Sequence, residues 1–269
     1  MPELAEAPDT PEEKEKESMP TMGFLDHLEE LRKRIIYSVI AVAVGFAACW
    51  WKVEWIYDIM QRPIMDALKS NGMAQKLGYL NPTDPFNMYL KVAALAGLFV
   101  TSPFVLYQVW MFISPGLYRK EKKYVVPFMV STITLFVAGG YFGYKIVYPA
   151  ALTFLIGMGK QFQPMITITE YTQLFLSIIL GMGLIFEMPI LVFFLSLMGI
   201  ISAGFMWKNF RYSILVIFII AAIVTPTTDI LNMCIFAAPM IALYAASIGV
   251  AYLVHPKQRA RRREKQATR

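Results

Sequence analysis

Charge is what this sequence has least of. Asp, Glu, Lys and Arg make up 16% of its 269 residues, against about a quarter in a soluble domain. Mean hydropathy is +0.51, and long apolar runs recur along the chain. Together these exclude an ordinary soluble domain and predict a polytopic helical membrane protein. Cysteine is nearly absent: Cys49 and Cys234 both fall in apolar runs, so neither a disulfide framework nor a cysteine metal site is implied. His27 and His255 are the only histidines, and both lie outside the predicted spans. With no HExxH zinc pattern, phosphate-binding glycine loop or nucleophile elbow, catalysis, metals and cofactors find no support. Ser177 and Ser196 have no base near them in sequence and read as helix-packing serines. The first twenty residues are acidic and lack an apolar core, so no cleavable signal peptide is expected.

What is present is a series of apolar runs divided by turn chemistry. Residues 1–20, rich in Glu, Lys and Pro, read as a disordered acidic tail. In FLDHLEELRKR (24–34), Phe24, Leu25, Leu28 and Leu31 fall at spacings of three and four, with charge on the remaining faces. That is the pattern of a helix at a water–lipid boundary. A first span over 35–51 follows, its outer end marked by Trp50, Trp51, Trp55 and Tyr57. Residues 52–90 read as an extramembrane loop, with Pro82 and Pro85 limiting helix formation in NPTDPF.

The second span covers 92–112, with a kink expected at Pro103. The third covers 124–148, where Gly139, Gly140 and Gly143 allow close packing. An almost uncharged loop covers 149–171, and the fourth span 172–198. The fifth, 212–224, is shorter than the roughly 20 residues a bilayer requires. The turn TPTTD (225–229) leads to a sixth over 231–253, and a basic tail fills 254–269. The net charge of +6 is concentrated in Arg32–Arg34, the 114–123 loop, Lys208 with Arg211, and this tail. The positive-inside rule then predicts six spans with both termini cytoplasmic, and assigns the charge to topology rather than to nucleic acid.

Three acids stand out. Glu187, in the fourth span, is the only Asp, Glu, Lys, Arg or His between Glu170 and Lys208. An acid at that depth is protonated, hydrated or paired; its plain reading is a neutral carboxyl donating to a carbonyl freed by Pro189. Glu30 and Glu121 belong to different segments on the cytoplasmic surface. Converged, two such carboxylates would suit guanidinium groups, which form forked hydrogen bonds that lysine matches poorly. Their plain readings are an i,i+4 pair of Glu30 with Arg34 and an acid offsetting a cationic loop.

HLEELRKRI (27–35), YQVWMFISPGLYRKEKKYVVPF (107–128), FEMPI (186–190) and the TP…D turn (225–229) closely resemble TatC, the multispanning receptor subunit of the twin-arginine translocase. The likeness covers about 24–253. It implies an all-α membrane domain over 21–253, glove-shaped, with six helices of which the fifth and sixth are short, in the cytoplasmic (inner) membrane. By the same resemblance the family binds twin-arginine signal peptides of folded precursor proteins. Glu30 and Glu121 match the acids implicated in holding the arginine pair. Arg32 matches a functional arginine; Phe112, Pro115 and Leu117 match the recognition surface of the loop. Glu187 matches an acid that meets single-span partner subunits of the TatA and TatB type, and Asp229 an acid of the outer turn. Transport driven by the proton-motive force, contact with lipid and self-association are implied too. Three positions depart from the pattern: Lys122–Lys123 stand where arginine is common, Asp84 where glutamate is usual, and Met233 where glutamine is frequent. The competing expectation is a proton-coupled transporter of a small solute built around Glu187. It would call for broken helices and an internal repeat, neither of which is clear in the sequence.

Overall fold

The structure, a computed structural model, describes residues 24–113, 125–159, 165–224 and 230–254. It is helical throughout most of these segments, with a single bridge between Gly78 and Thr167. In chain order the helices are α1 (Phe24–Trp50), α2 (Val53–Ser70), α3 (Asp84–Ile113) and α4 (Val125–Phe142). A π-helical turn (Gly143–Val147) joins α4 to α5 (Tyr148–Met158). Then come α6 (Ile168–Ile185), α7 (Met188–Leu197), α8 (Ala203–Lys208), α9 (Phe210–Val224) and α10 (Ile230–Val254).

Five helical stretches are long and apolar enough to cross a membrane, and the shorter Phe210–Ile223 is the remaining candidate. The fifth expected span is therefore short, as its sequence predicts. The sixth is not short, as the family likeness implies, but long, as the apolar run over 231–253 predicts: α10 covers 25 residues with Pro239 inside it. The region expected as a loop over 52–90 instead carries α2, an 18-residue helix. Its buried stripe, Met60, Ile64 and Leu68, repeats every four residues, a periodicity that the interspersed charges hide. Pro85 does not limit α3 but sits in its first turn, where a missing amide costs nothing. The third span, which contains the π turn, continues past its expected end at 148 through α5 to Met158.

Tight crossings hold α1 on α3. A Cβ on Gly97 would lie 2.6 Å from the Phe46 nitrogen, and one on Gly45 would lie 2.8 Å from the Gly97 oxygen. The glycines of α4 serve as expected: a Cβ on Gly139 would stand 2.5 Å from the Met182 oxygen, and one on Gly140 would collide with the Phe99 ring. Ser196 joins α7 to α10, its hydroxyl donating to the Ala251 oxygen at 3.3 Å, which is the packing role its sequence context suggests.

The prolines explain the polar contacts. Pro103 leaves the Phe99 carbonyl without an amide donor, and the Ser102 hydroxyl supplies one at 2.7 Å. Pro63 does the same to Ile59, and the Tyr144 hydroxyl reaches that oxygen at 2.7 Å from across the fold. The next carbonyl, Met60, accepts from the Tyr171 hydroxyl. The connection after α2 is pinned as well. Gly78 donates to the Ile166 oxygen at 3.0 Å and accepts from the Ile168 amide at 2.8 Å. Asp84 Oδ2 receives the Leu80 and Asn81 amides at 3.1 and 3.0 Å, a reach-back of the capping-box kind.

Candidate functional site

His27, Glu30 and Arg34 are spaced three and four apart, so they share one face of α1. Gln108 and Phe112, four apart, share one face of α3. The crossing of these two helices sets the two faces against each other. His27 stacks on Phe112 with ring centroids 4.3 Å apart and planes inclined by 15°. Arg34 Nη2 donates to Glu30 Oε1 at 3.2 Å, and Arg34 Nη1 donates to Gln108 Oε1 at 2.9 Å. Gln108 is buried at 4% exposure. One guanidinium thus forks between an acid on its own helix and an amide on the next.

The second oxygen of Glu30 is the unusual atom. Oε2 is buried and has no hydrogen-bond partner among the described residues. Leaving a charged acceptor in that condition costs at least about 1–3 kcal/mol, so the position favours a cationic donor. A cavity of about 390 Å3 opens beside it, lined by Asp26, Glu29, Glu30, Lys33, Arg34 and Tyr37. Glu29 and Lys33 pair at 2.9 Å in solvent, a contact worth little.

Trp110, two residues from Gln108 on α3, anchors a separate buried cluster. Trp110 donates its indole N–H to Thr132 Oγ1 at 3.0 Å in a buried contact between α3 and α4. Its ring stacks on Phe128 and meets Phe194 edge-on. The two flanks of the 114–124 segment are therefore fixed by aromatic packing.

Of the residues expected to form the recognition site, the structure unites Glu30 and Phe112 along one helix crossing. Arg32 is exposed on α1 and does not line the cavity. Glu121, Pro115, Leu117 and Asp229 lie outside the described residues. Gln108 and His27 were not anticipated. Their signal was the i,i+4 step from Gln108 to Phe112, a buried amide in line with an aromatic.

Glu187 sits elsewhere, at the break between α6 and α7. It is half-buried, its Oε1 is enclosed without a partner, and its carboxyl makes no hydrogen bond among the described residues. The expected donation to a carbonyl freed by Pro189 is absent there. Close by, Leu184, Met188, Val216, Ile220, Met240 and Tyr244 contribute to an apolar groove between the α6–α7 break, α9 and α10.

These features define a polytopic helical membrane protein with a charged recess at the crossing of its first two spanning helices and a lone carboxyl within a broken one. The family model described as Sec-independent protein translocase protein (TatC) matches residues 26–239. The chain belongs to the TatC family of protein translocase components. It is 70% identical over 251 residues to the TatC of Koribacter versatilis, covering 93% of each chain. With the TatC of Carboxydothermus hydrogenoformans it shares 39% over 238 residues, 88% of this chain and 96% of that one. A crystal structure of a twin-arginine translocase receptor, TatC, matches with a TM-score of 0.77 at 33% identity, covering 85% of this chain and 99% of that chain.

Proposed function

We propose that this chain is a twin-arginine signal-peptide receptor, with Glu30 as a principal acceptor for the arginine pair. The observation that carries this reading is Glu30 Oε2, a buried carboxylate oxygen without a partner among the described residues, at the edge of an open cavity lined by three acids and two cations. An incoming guanidinium satisfies it through a charge-assisted bond in a geometry that an ammonium matches less well. Glu121 supplies the second carboxylate, and Arg32, Phe112, Pro115 and Leu117 complete the recognition surface. Arg34 already occupies one oxygen of Glu30 and holds the carboxylate in place through Gln108.

In this reading the protein is non-enzymatic and resides in the cytoplasmic membrane with both termini cytoplasmic. The cation-rich connections, including Arg119–Lys123, Lys208 and Arg211, support that orientation. Single-span subunits of the TatA and TatB type meet Glu187, Asp229 belongs to the outer turn, and the proton-motive force drives passage of folded precursors. The break in the fourth span and the unpartnered Glu187 Oε1 support a functional role for that acid.

Binding of a twin-arginine signal peptide to the detergent-solubilised protein tests the receptor role beside a Lys-Lys version of the same peptide. Selective Arg-Arg binding is expected. Glu30→Ala and Glu121→Ala should each weaken it by about 1.5–3 kcal/mol. Equal binding of both peptides, unchanged by either substitution, removes the proposed site.

A further inference from the structure

A groove far from Glu30 has walls that the receptor role does not use. It is lined by residues including Trp55 and Ile59 of α2, Ala96 and Phe99 of α3, Tyr141 of α4 and Ile179 of α6, with a volume of about 330 Å3. Its lining is almost wholly apolar. Such a wall suits a flexible hydrocarbon chain, which needs no polar partner along its length.

Lys145 lies beside Tyr144, one of the residues lining the groove. It belongs to the π-helical turn, the kind of irregularity that concentrates at functional positions, and its amine lies 5.5 Å from the Tyr144 ring centroid. Tyr144 lines the groove. At 1.5 Å per residue, Lys145 is about 30 Å along the helix from Val125, the thickness of a bilayer's hydrocarbon core. That depth is the headgroup level of the leaflet remote from Glu30. Arg62, exposed and one helical turn from the groove-lining Ile59 on α2, brings a second cation to this end of the groove, with Asp66 a further turn along. Neither Lys145 nor Arg62 is in an ion pair among the described residues. Lys91, also exposed, is one turn from the groove-lining Leu95 on α3, toward the same leaflet.

We propose that this groove binds an anionic phospholipid, one acyl chain lying against Ala96, Phe99 and Ile179 and the phosphate held by Lys145 and Arg62. The pairing is complementary in both parts: apolar wall to chain, cations to phosphate. Trp55 and Tyr141 sit at the boundary, where amphipathic rings belong. The site is independent of the signal-peptide reading, because it shares no residue with the Glu30 recess.

Native mass spectrometry of the full chain, titrated in mild detergent with phosphatidylglycerol or phosphatidylcholine, tests the assignment. The first phosphatidylglycerol is expected to bind about 25-fold more tightly than phosphatidylcholine, about fivefold for each of two cations attracted to an anionic lipid. Lys145→Gln and Arg62→Gln should each erase about fivefold of that preference, while Lys145→Arg keeps it. Val137→Trp, which fills the groove from its lining, should weaken both lipids. Equal affinity for the two lipids, or a preference indifferent to both glutamine substitutions, overturns the proposal. So does loss of the preference in Lys145→Arg.

Discussion

Tyr144 donates its hydroxyl to a carbonyl that no amide can reach, because Pro63 carries no N–H. Tyr144→Phe should therefore cost about 1–3 kcal/mol, the penalty of a buried acceptor left unpaired. Each kcal/mol corresponds to about 2–4 °C of thermal midpoint for a chain of this size. In a Pro63→Ala background the helix amide returns, and the same substitution should cost clearly less in a thermal-unfolding double-mutant cycle. Equal costs in the two backgrounds would detach the hydroxyl from the proline. Glu187 carries a functional prediction instead: Glu187→Leu should impair transport in reconstituted vesicles and leave signal-peptide binding nearly unchanged. Parallel loss of both would place it in the recognition site. At this scale the sequence discloses what lies within one helix. The Glu30–Arg34 pair is readable from an i,i+4 step, and the structure holds it at 3.2 Å. Gln108 is not readable as its partner, since that contact spans 74 positions and depends on where two helices cross.

Helix crossings depend in turn on a few absent side chains. Gly45 and Gly97 let the backbones of α1 and α3 approach so closely that neither tolerates a Cβ without displacement. Gly97→Ala should destabilise the protein by about 1–3 kcal/mol through overpacking, measured by thermal unfolding in detergent. Because Gln108 rides on α3, the Arg34 fork should loosen in that variant and signal-peptide affinity should fall with it. A stable variant with full affinity would show that the crossing does not position the recess. The apolar spans were legible because lipid imposes one composition along a whole helix. α2 was not, since its buried stripe of Met60, Ile64 and Leu68 alternates with Asp58, Arg62, Asp66 and Lys69. The continuation of the third span from 149 to Met158 was hidden too: Pro149 sits in the first turn of α5, where its missing amide costs little, and the Tyr148 amide before it pairs back to the Gly143 oxygen. Gly72 and Gly199, both at positive φ, close α2 and α7 with paired backbone bonds of the Schellman type.

Taken whole, the molecule is uneven in thickness. α9, at 15 residues, reaches about 22 Å, short of the roughly 30 Å hydrocarbon core that its neighbours cross. A bilayer meeting α9 thins locally or α9 tilts little and draws water inward. Inserting four leucines after Ile219 adds about 6 Å and should lower transport while sparing signal-peptide binding. Undiminished transport would mean that the short helix has no part in passage. Six apolar segments and their uneven lengths were visible in the sequence. The length of α10 departed from what the family likeness implied, whereas the apolar run over 231–253 already marked it.

The Pro63–Tyr144 contact also orders the mutational routes open to this lineage. Losing the proline first is permissive, since a restored amide frees the distant phenol to drift. Losing the phenol first strands an oxygen and is selected against until the proline follows. Histories in which Pro63→Ala precedes any change at Tyr144 should thus outnumber those in which Tyr144→Phe comes while Pro63 is still in place. That directional asymmetry is one that reconstructed ancestral chains can be made to reveal.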